Sequence, residues 1–175
     1  MLTVKNFLRL KGIMAIILLG LAACSSQGAI IHNHSQAYVD EVTIGNMFEM
    51  QASRLAETHA SSTDVKAFAR MMTTDHALIS GCLDAAMDES QLFLNLPTRL
   101  DAKHKAWIAE LKEKQGADFD TAYTKIQTNA HKSAYSLHAR YSQNGEVPAL
   151  KKVAEEALPI IKNHLVMVKH LHELK

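Results

Sequence analysis

Helical periodicity that runs almost unbroken from about residue 36 to the C-terminus constrains this chain more than any other feature. Apolar residues recur three and four positions apart, which gathers them on one helical face, and no stretch alternates with the period of two that a half-buried strand requires. The first face, over about 36 to 59, carries Tyr38, Val42, Gly45, Phe48, Ala52, Leu55 and Ala56. The second, about 63 to 88, carries Val65, Phe68, Met72, Ile79, Leu83 and Ala86 at the heptad-like spacing of a bundle seam. Between them "ASSTD" offers Ser61 or Ser62 as an N-cap and Asp64 in the first turn.

A break over 89 to 97 ends in Pro97, and Thr98 and Asp101 then make a capping-box-like start to a shorter helix reaching about Lys114. Gly116 closes it and Asp118 caps the next helix, about 118 to 143, which presents Phe119, Tyr123, Ile126, Ala130, Ala134, Leu137 and Tyr141. "QNGEVP" turns the chain into the last helix, about 148 to 173, with Leu150, Ala154, Ala157, Ile161, Leu165, Val168 and Leu171 on one stripe and Pro159 as the expected kink position by its missing amide donor. Four helices of about 24 to 26 residues are each about 36 to 39 Å long, matched well enough to pack side by side. The chain therefore reads as all-α: a ferritin-like four-helix bundle with a short extra helix in the crossover between the second and third long helices.

The N-terminus has a different character. Lys5, Arg9 and Lys11 form a basic start, Ile13 to Leu19 an apolar core too short to span a bilayer, and Leu21-Ala22-Ala23-Cys24 a small-residue cleavage site ending in cysteine. This resembles the bacterial lipobox, which implies a signal peptide over 1–23 and a lipidated Cys24, with acyl chains holding the protein to a membrane without a spanning helix. Ser25 lacks the aspartate of inner-membrane retention, so the outer membrane is the expected address. Residues 24–35 read as a lipidated tether and 36–175 as the helical domain. The mature chain, 175 residues less the 23 of the leader, or 152, is long enough for one domain with a real core. The whole chain has 19 Lys and Arg against 18 Asp and Glu, and loss of the three basic leader residues leaves a net charge of about −2. Nothing in that balance recommends a nucleic-acid partner. With Cys24 acylated, Cys82 is the one thiol remaining, on an apolar face where it reads as a small core residue.

Several polar residues interrupt the apolar stripes. Glu49 falls in line with Gly45, Ala52 and Ala56; Asp75 and His76 meet the seam of the second helix; His131 flanks Ala130 and Ala134; His164 is in register with Ala157, Ile161 and Val168. Counting about 1.5 Å per residue from the helix ends puts Glu49 about 17 Å, His76 about 23 Å, His131 about 20 Å and His164 about 11 Å down the bundle, with His164 the outlier. A carboxylate and imidazoles converging from different helices are the material of a bundle metal site, and burial of either without a partner is costly. A transition metal (copper, zinc or iron) and a hydrogen-bonded network are the two ways to satisfy them. Met72 with His76, and His164 with Met167, have the spacing of neighbours on one face but also of ordinary core. His32, His34, the Asp101–His104 pair, His170 and His172 are weaker candidates. No glutamate is followed three positions later by histidine, and His-Glu-x-x-His, Gly-x-Ser-x-Gly and glycine-rich phosphate loops are missing from the sequence, so hydrolase and nucleotide-binding chemistry have no residues to stand on.

The stretches "MFEMQASRLAETHASSTDVKAFARMMTTDH", "GADFDTAYTKIQTNAHKSAY" and "EEALPIIKNHLVMVKHL" resemble the bacterial envelope family known as domain of unknown function 4142, over about 40 to 174. The resemblance implies a ferritin-like fold and a periplasmic or outer-membrane setting. Its motifs fall here on Glu49, Asp75, His76, Asp120, Tyr123, His131, Pro159 and His164. The expected molecule is a lipid-anchored envelope protein holding a transition metal through Glu49, Asp75, His76, His131 and His164 for storage, buffering or stress protection rather than turnover. The competing reading is an interaction or structural lipoprotein with a hydrogen-bonded polar core and an envelope protein as partner.

Overall fold

The computed structural model describes residues 14–173, with side chains from residue 27 onward apart from that of His172. The basic leader residues and the Cys24 side chain lie outside the described set. Among the described residues the chain is all-helical: α1 (Met14–His59), α2 (Thr63–Ser90), α3 (Ala102–Lys112), α4 (Gly116–Asn144) and α5 (Pro148–Glu173). A single isolated bridge joins Ala60 to Gly116, and no described helix is long and apolar enough to cross a membrane.

The helix starts follow their local chemistry. Ser62, extended at φ −73°, accepts from the Val65 amide and caps α2, with Asp64 in its first turn; Asp101 does the same for α3 through the His104 amide. α4 begins at Gly116 rather than near Asp118, and Gly116 takes φ 62°, a backbone region that glycine enters without a Cβ penalty. α5 continues through Pro159.

The stretch read as a tether, 25–35, is helical and continuous with the rest of α1. Its last turns are held by partners far along the chain. Ile31 packs against an apolar cluster, the His32 ring bonds the Phe93 carbonyl (3.1 Å), His34 pairs with Glu146 (2.9 Å), and buried Ser35 bonds the Tyr141 hydroxyl (3.0 Å). Tertiary contact, more than propensity, decides such segments.

α1 packs on α2, α2 on α5, α5 on α4 and α4 on α1, closing a ring of four long helices, while α3 lies against α1 and α4. The interior is divided. One cluster holds Phe48, Ala52, Phe68, Met72, Phe119, Tyr123 and Val168; the other holds Tyr38, Val42, Ile79, Leu83, Leu137, Leu150 and Ile161. On α2 the first cluster stops at Met72 and the second starts at Ile79; on α4 the change falls between Ala130 and Leu137; on α5 it falls between Ile161 and Val168. His76, His131 and His164 occupy those three gaps. Each apolar side chain fully buried on either side contributes about 1.5–3 kcal/mol, whereas a polar layer between them is tolerable only if its groups are satisfied.

Candidate metal centre

The protonation of each histidine follows from what its outer nitrogen touches. Ser80 Oγ donates to the His76 carbonyl (2.9 Å), so it accepts from Asn46 Nδ2 (3.1 Å). That fixes the Asn46 amide with its oxygen towards His76 Nδ1 at 2.8 Å, and Nδ1 carries the proton. His131 Nδ1 donates to the Gln127 carbonyl one turn back at 2.9 Å. His164 Nε2 donates to the Asp75 carboxylate at 2.8 Å. The nitrogens left with lone pairs are His76 Nε2, His131 Nε2 and His164 Nδ1.

One nitrogen from each ring lies within 4.8 Å of the other two. His131 Nε2 and His164 Nδ1 face each other at 3.2 Å with no proton assigned between them, and His76 Nε2 is buried without a hydrogen-bond partner. Two lone pairs at that distance repel unless a cation sits between them. Two nitrogens on a tetrahedral zinc, at about 2.0–2.1 Å each, stand about 3.3 Å apart. The His131–His164 pair is already at that separation, and the His76 nitrogen, within 4.8 Å of both, has the remaining distance to close by a ring movement.

Electrostatics keep the lone pairs available. Burial first, and the neighbouring His131, His164 and His138 rings second, hold His76 well below the ordinary imidazole range. Burial and His164 bring His131 down to about 3. Burial lowers His164 too, against the opposing pull of Asp75. All three rings are neutral at neutral pH, the form that ligates metal. Burial pushes Glu49 up to about 8 although Gln127 Nε2 donates to it at 2.6 Å.

The structure thus brings His76, His131 and His164 together at one point and attaches the two expected carboxylates from behind. Asp75 orients His164, and its side chain is 28% exposed. Glu49 Oε1 stands 3.7 Å from His131 Nδ1, on the side of that ring away from His164. Such outer partners fix tautomer and ring direction in metal sites. His164, the outlier when depth is counted from helix ends, is central, because counting treats the ends as flush and the axes as parallel. Asn46 and Gln127 escaped the sequence reading. Their signal was present, since Asn46 lies one turn before Glu49 and Gln127 one turn before His131.

The other candidates stand apart from this point or in ordinary roles. Met72 is core, and Met167 Sδ accepts from Asn163. His104 Nδ1 donates to Asp101 at the start of α3. His170 is exposed beside Glu173, and Cys82 packs at the edge of the second cluster. Asp120 ties α4 to the α1–α2 connection by accepting from Ser61 N (3.2 Å), Ser61 Oγ (2.5 Å) and Ser62 N (3.0 Å). Tyr123, buried, faces Ser53 Oγ at 3.4 Å.

No curated protein and no solved structure matches the chain. The family described as domain of unknown function (DUF4142) matches residues 21–171, a span that includes every residue of the histidine cluster and its outer partners. The chain belongs to the DUF4142 family.

Proposed function

We propose that this protein is a lipid-anchored, ferritin-like helical bundle of the cell envelope that holds one transition-metal ion through His76 Nε2, His131 Nε2 and His164 Nδ1, for storage, buffering or stress protection. The observation that carries the reading is the proton accounting: three neutral imidazoles, each with its outer nitrogen bonded to an acceptor, leave three lone pairs in one buried space. Asp75 supplies negative charge behind His164, and Glu49, raised to about 8, stands behind His131 as a largely protonated orienting partner. Imidazole donors suit zinc, copper and iron. Binding by the folded state alone raises stability by about 2.7 kcal/mol at a free metal concentration a hundredfold above Kd. Protein without a polyhistidine tag, stripped with chelator and titrated with zinc, should therefore melt higher as metal is added, and the His131→Ala/His164→Ala double variant should lose the gain. An unchanged melting temperature in the native chain would remove the metal from the reading.

A non-catalytic interaction lipoprotein is the second reading, favoured by Ile30 (57% exposed), Phe93 (94%) and Leu96 (43%). His32 and Gln36 bind the Phe93–Asn95 backbone to α1, so these apolar side chains belong to the α1 N-terminal end, where an anchor at Cys24 would bring a membrane or an envelope partner.

A further inference from the structure

A cavity of about 220 Å³ reaches the histidine cluster from one side. Of the three rings it touches His76, with Glu49 beside it, and its outer end is bordered by the exposed side chains of Glu41, Asp101 and Lys103. Neither Glu49 nor Asp75 is arranged as a fourth ligand: Glu49 Oε2 accepts from Gln127 while its Oε1 stands 3.7 Å from His131 Nδ1, behind that ring, and Asp75 accepts from His164. Three protein nitrogens with a vacant fourth direction are the pattern of metal sites that admit an outside ligand, whereas purely structural sites are closed by four.

We propose that this cavity carries a small oxygen- or nitrogen-donor ligand, of the hydroxide, peroxide or azide class, to an open coordination position on the metal held by His76, His131 and His164. The inference rests on the metal reading above. Its size supports the class: with about 30 Å³ per water, the space takes a few water-sized groups and falls short of the roughly 300 Å³ at which drug-sized pockets begin. Its walls support it too. Gly45 lines the cavity in mid-helix, and a Cβ built there meets nothing within 4 Å. Glycine in a helix interior costs about 1 kcal/mol relative to alanine, so a residue that would stabilise α1 and fill space is replaced by one that keeps the space open. His138 also lines the cavity; its Nδ1 bonds the Tyr38 hydroxyl at 3.0 Å, which leaves Nε2 to meet a ligand.

The test uses the full chain without a polyhistidine tag, loaded with one equivalent of Co²⁺, whose visible spectrum reports coordination, and titrated with azide. The native protein should show an azide-dependent change of the cobalt bands. Gly45→Leu, which fills the cavity from α1, should keep the cobalt spectrum in the absence of azide and weaken azide binding by about tenfold or more. Ala134→Leu, from the facing wall on α4, is the second variant should the first not fold, with the same expectation. Cobalt bands that appear but ignore azide, or azide binding unchanged in a folded, cobalt-loaded cavity-filled variant, overturn the proposal and leave the histidine site closed. Failure of cobalt bands to develop in the native protein overturns both this proposal and the metal reading, and is distinguishable from the former outcome.

Discussion

Replacing Asn46 by alanine removes the acceptor that holds His76 Nδ1–H, without touching any of the three lone pairs. Loss of such an outer partner lowers metal affinity by about 10–100-fold, and the stranded donor costs about 1–3 kcal/mol of stability. Competition against a chromophoric chelator should show that loss while circular dichroism remains helical; unchanged affinity would mean that Asn46 does not orient His76. Protonation gives a second prediction at this scale. In the metal-free protein burial holds His131 near 3 and His138 near 4, against 6.5 for a free imidazole. The unfolded chain then binds more protons than the folded one below pH 6.5. Stability is undiminished above that pH and is lost as pH falls through it towards 4. Glu49 runs the other way. Raised from 4.5 to about 8, it is protonated in the folded state over a range where the unfolded chain has lost the proton, so its contribution is intact below 4.5 and is lost as pH rises to about 8. Melting curves of the metal-free protein should decline on both limbs, and Glu49→Gln should flatten the alkaline limb alone. An alkaline limb that persists in that variant would assign it to another group.

At the scale of elements, the connection between α1 and α2 depends on a residue of α4. Asp120 satisfies two backbone amides and one hydroxyl of Ser61 and Ser62, although it lies 58 to 59 residues further along the chain. Asp120→Ala strands those amides and should destabilise by about 1–3 kcal/mol. For a domain of this size that lowers the melting temperature by about 2–4 °C per kcal/mol. Denaturant melts giving a loss below a few tenths of a kcal/mol would show that water replaces the carboxylate there. Which of this was legible depended on whether the signal was local. The faces carrying Val42, Ile79, Leu137 and Ile161 follow from helical period alone, and all four residues are buried. The inward positions of Glu49, His76, His131 and His164 follow from the same stripes. By contrast, the helical state of 25–35 depends on Phe93, Tyr141 and Glu146, and the role of Asn46 depends on Ser80 across a helix pair; neither partner is visible to a local pattern.

For the whole molecule, the cluster joins α2, α4 and α5 directly and reaches α1 through Asn46 and Glu49, so all four long helices converge on it. A bound metal would tie them together at the layer where the two apolar clusters part. The anchor proposed at Cys24 would act at the opposite extreme of scale, fixing where this bundle stands. If Cys24 is acylated, Cys24→Ser should move the protein from the membrane fraction of the envelope to the soluble one, as read by fractionation and blotting; retention in the membrane fraction would assign attachment to another feature, with Phe93 and its exposed neighbours the first to examine.

The proposed site needs three nitrogens meeting one ion, and X-ray absorption at the metal edge of zinc-loaded, untagged protein tests that directly. The prediction is one zinc per chain with three imidazole nitrogens at about 2.0–2.1 Å and one exchangeable oxygen- or nitrogen-donor ligand. A shell made only of oxygens, or one that persists unchanged in the His76→Ala/His131→Ala variant, would contradict it.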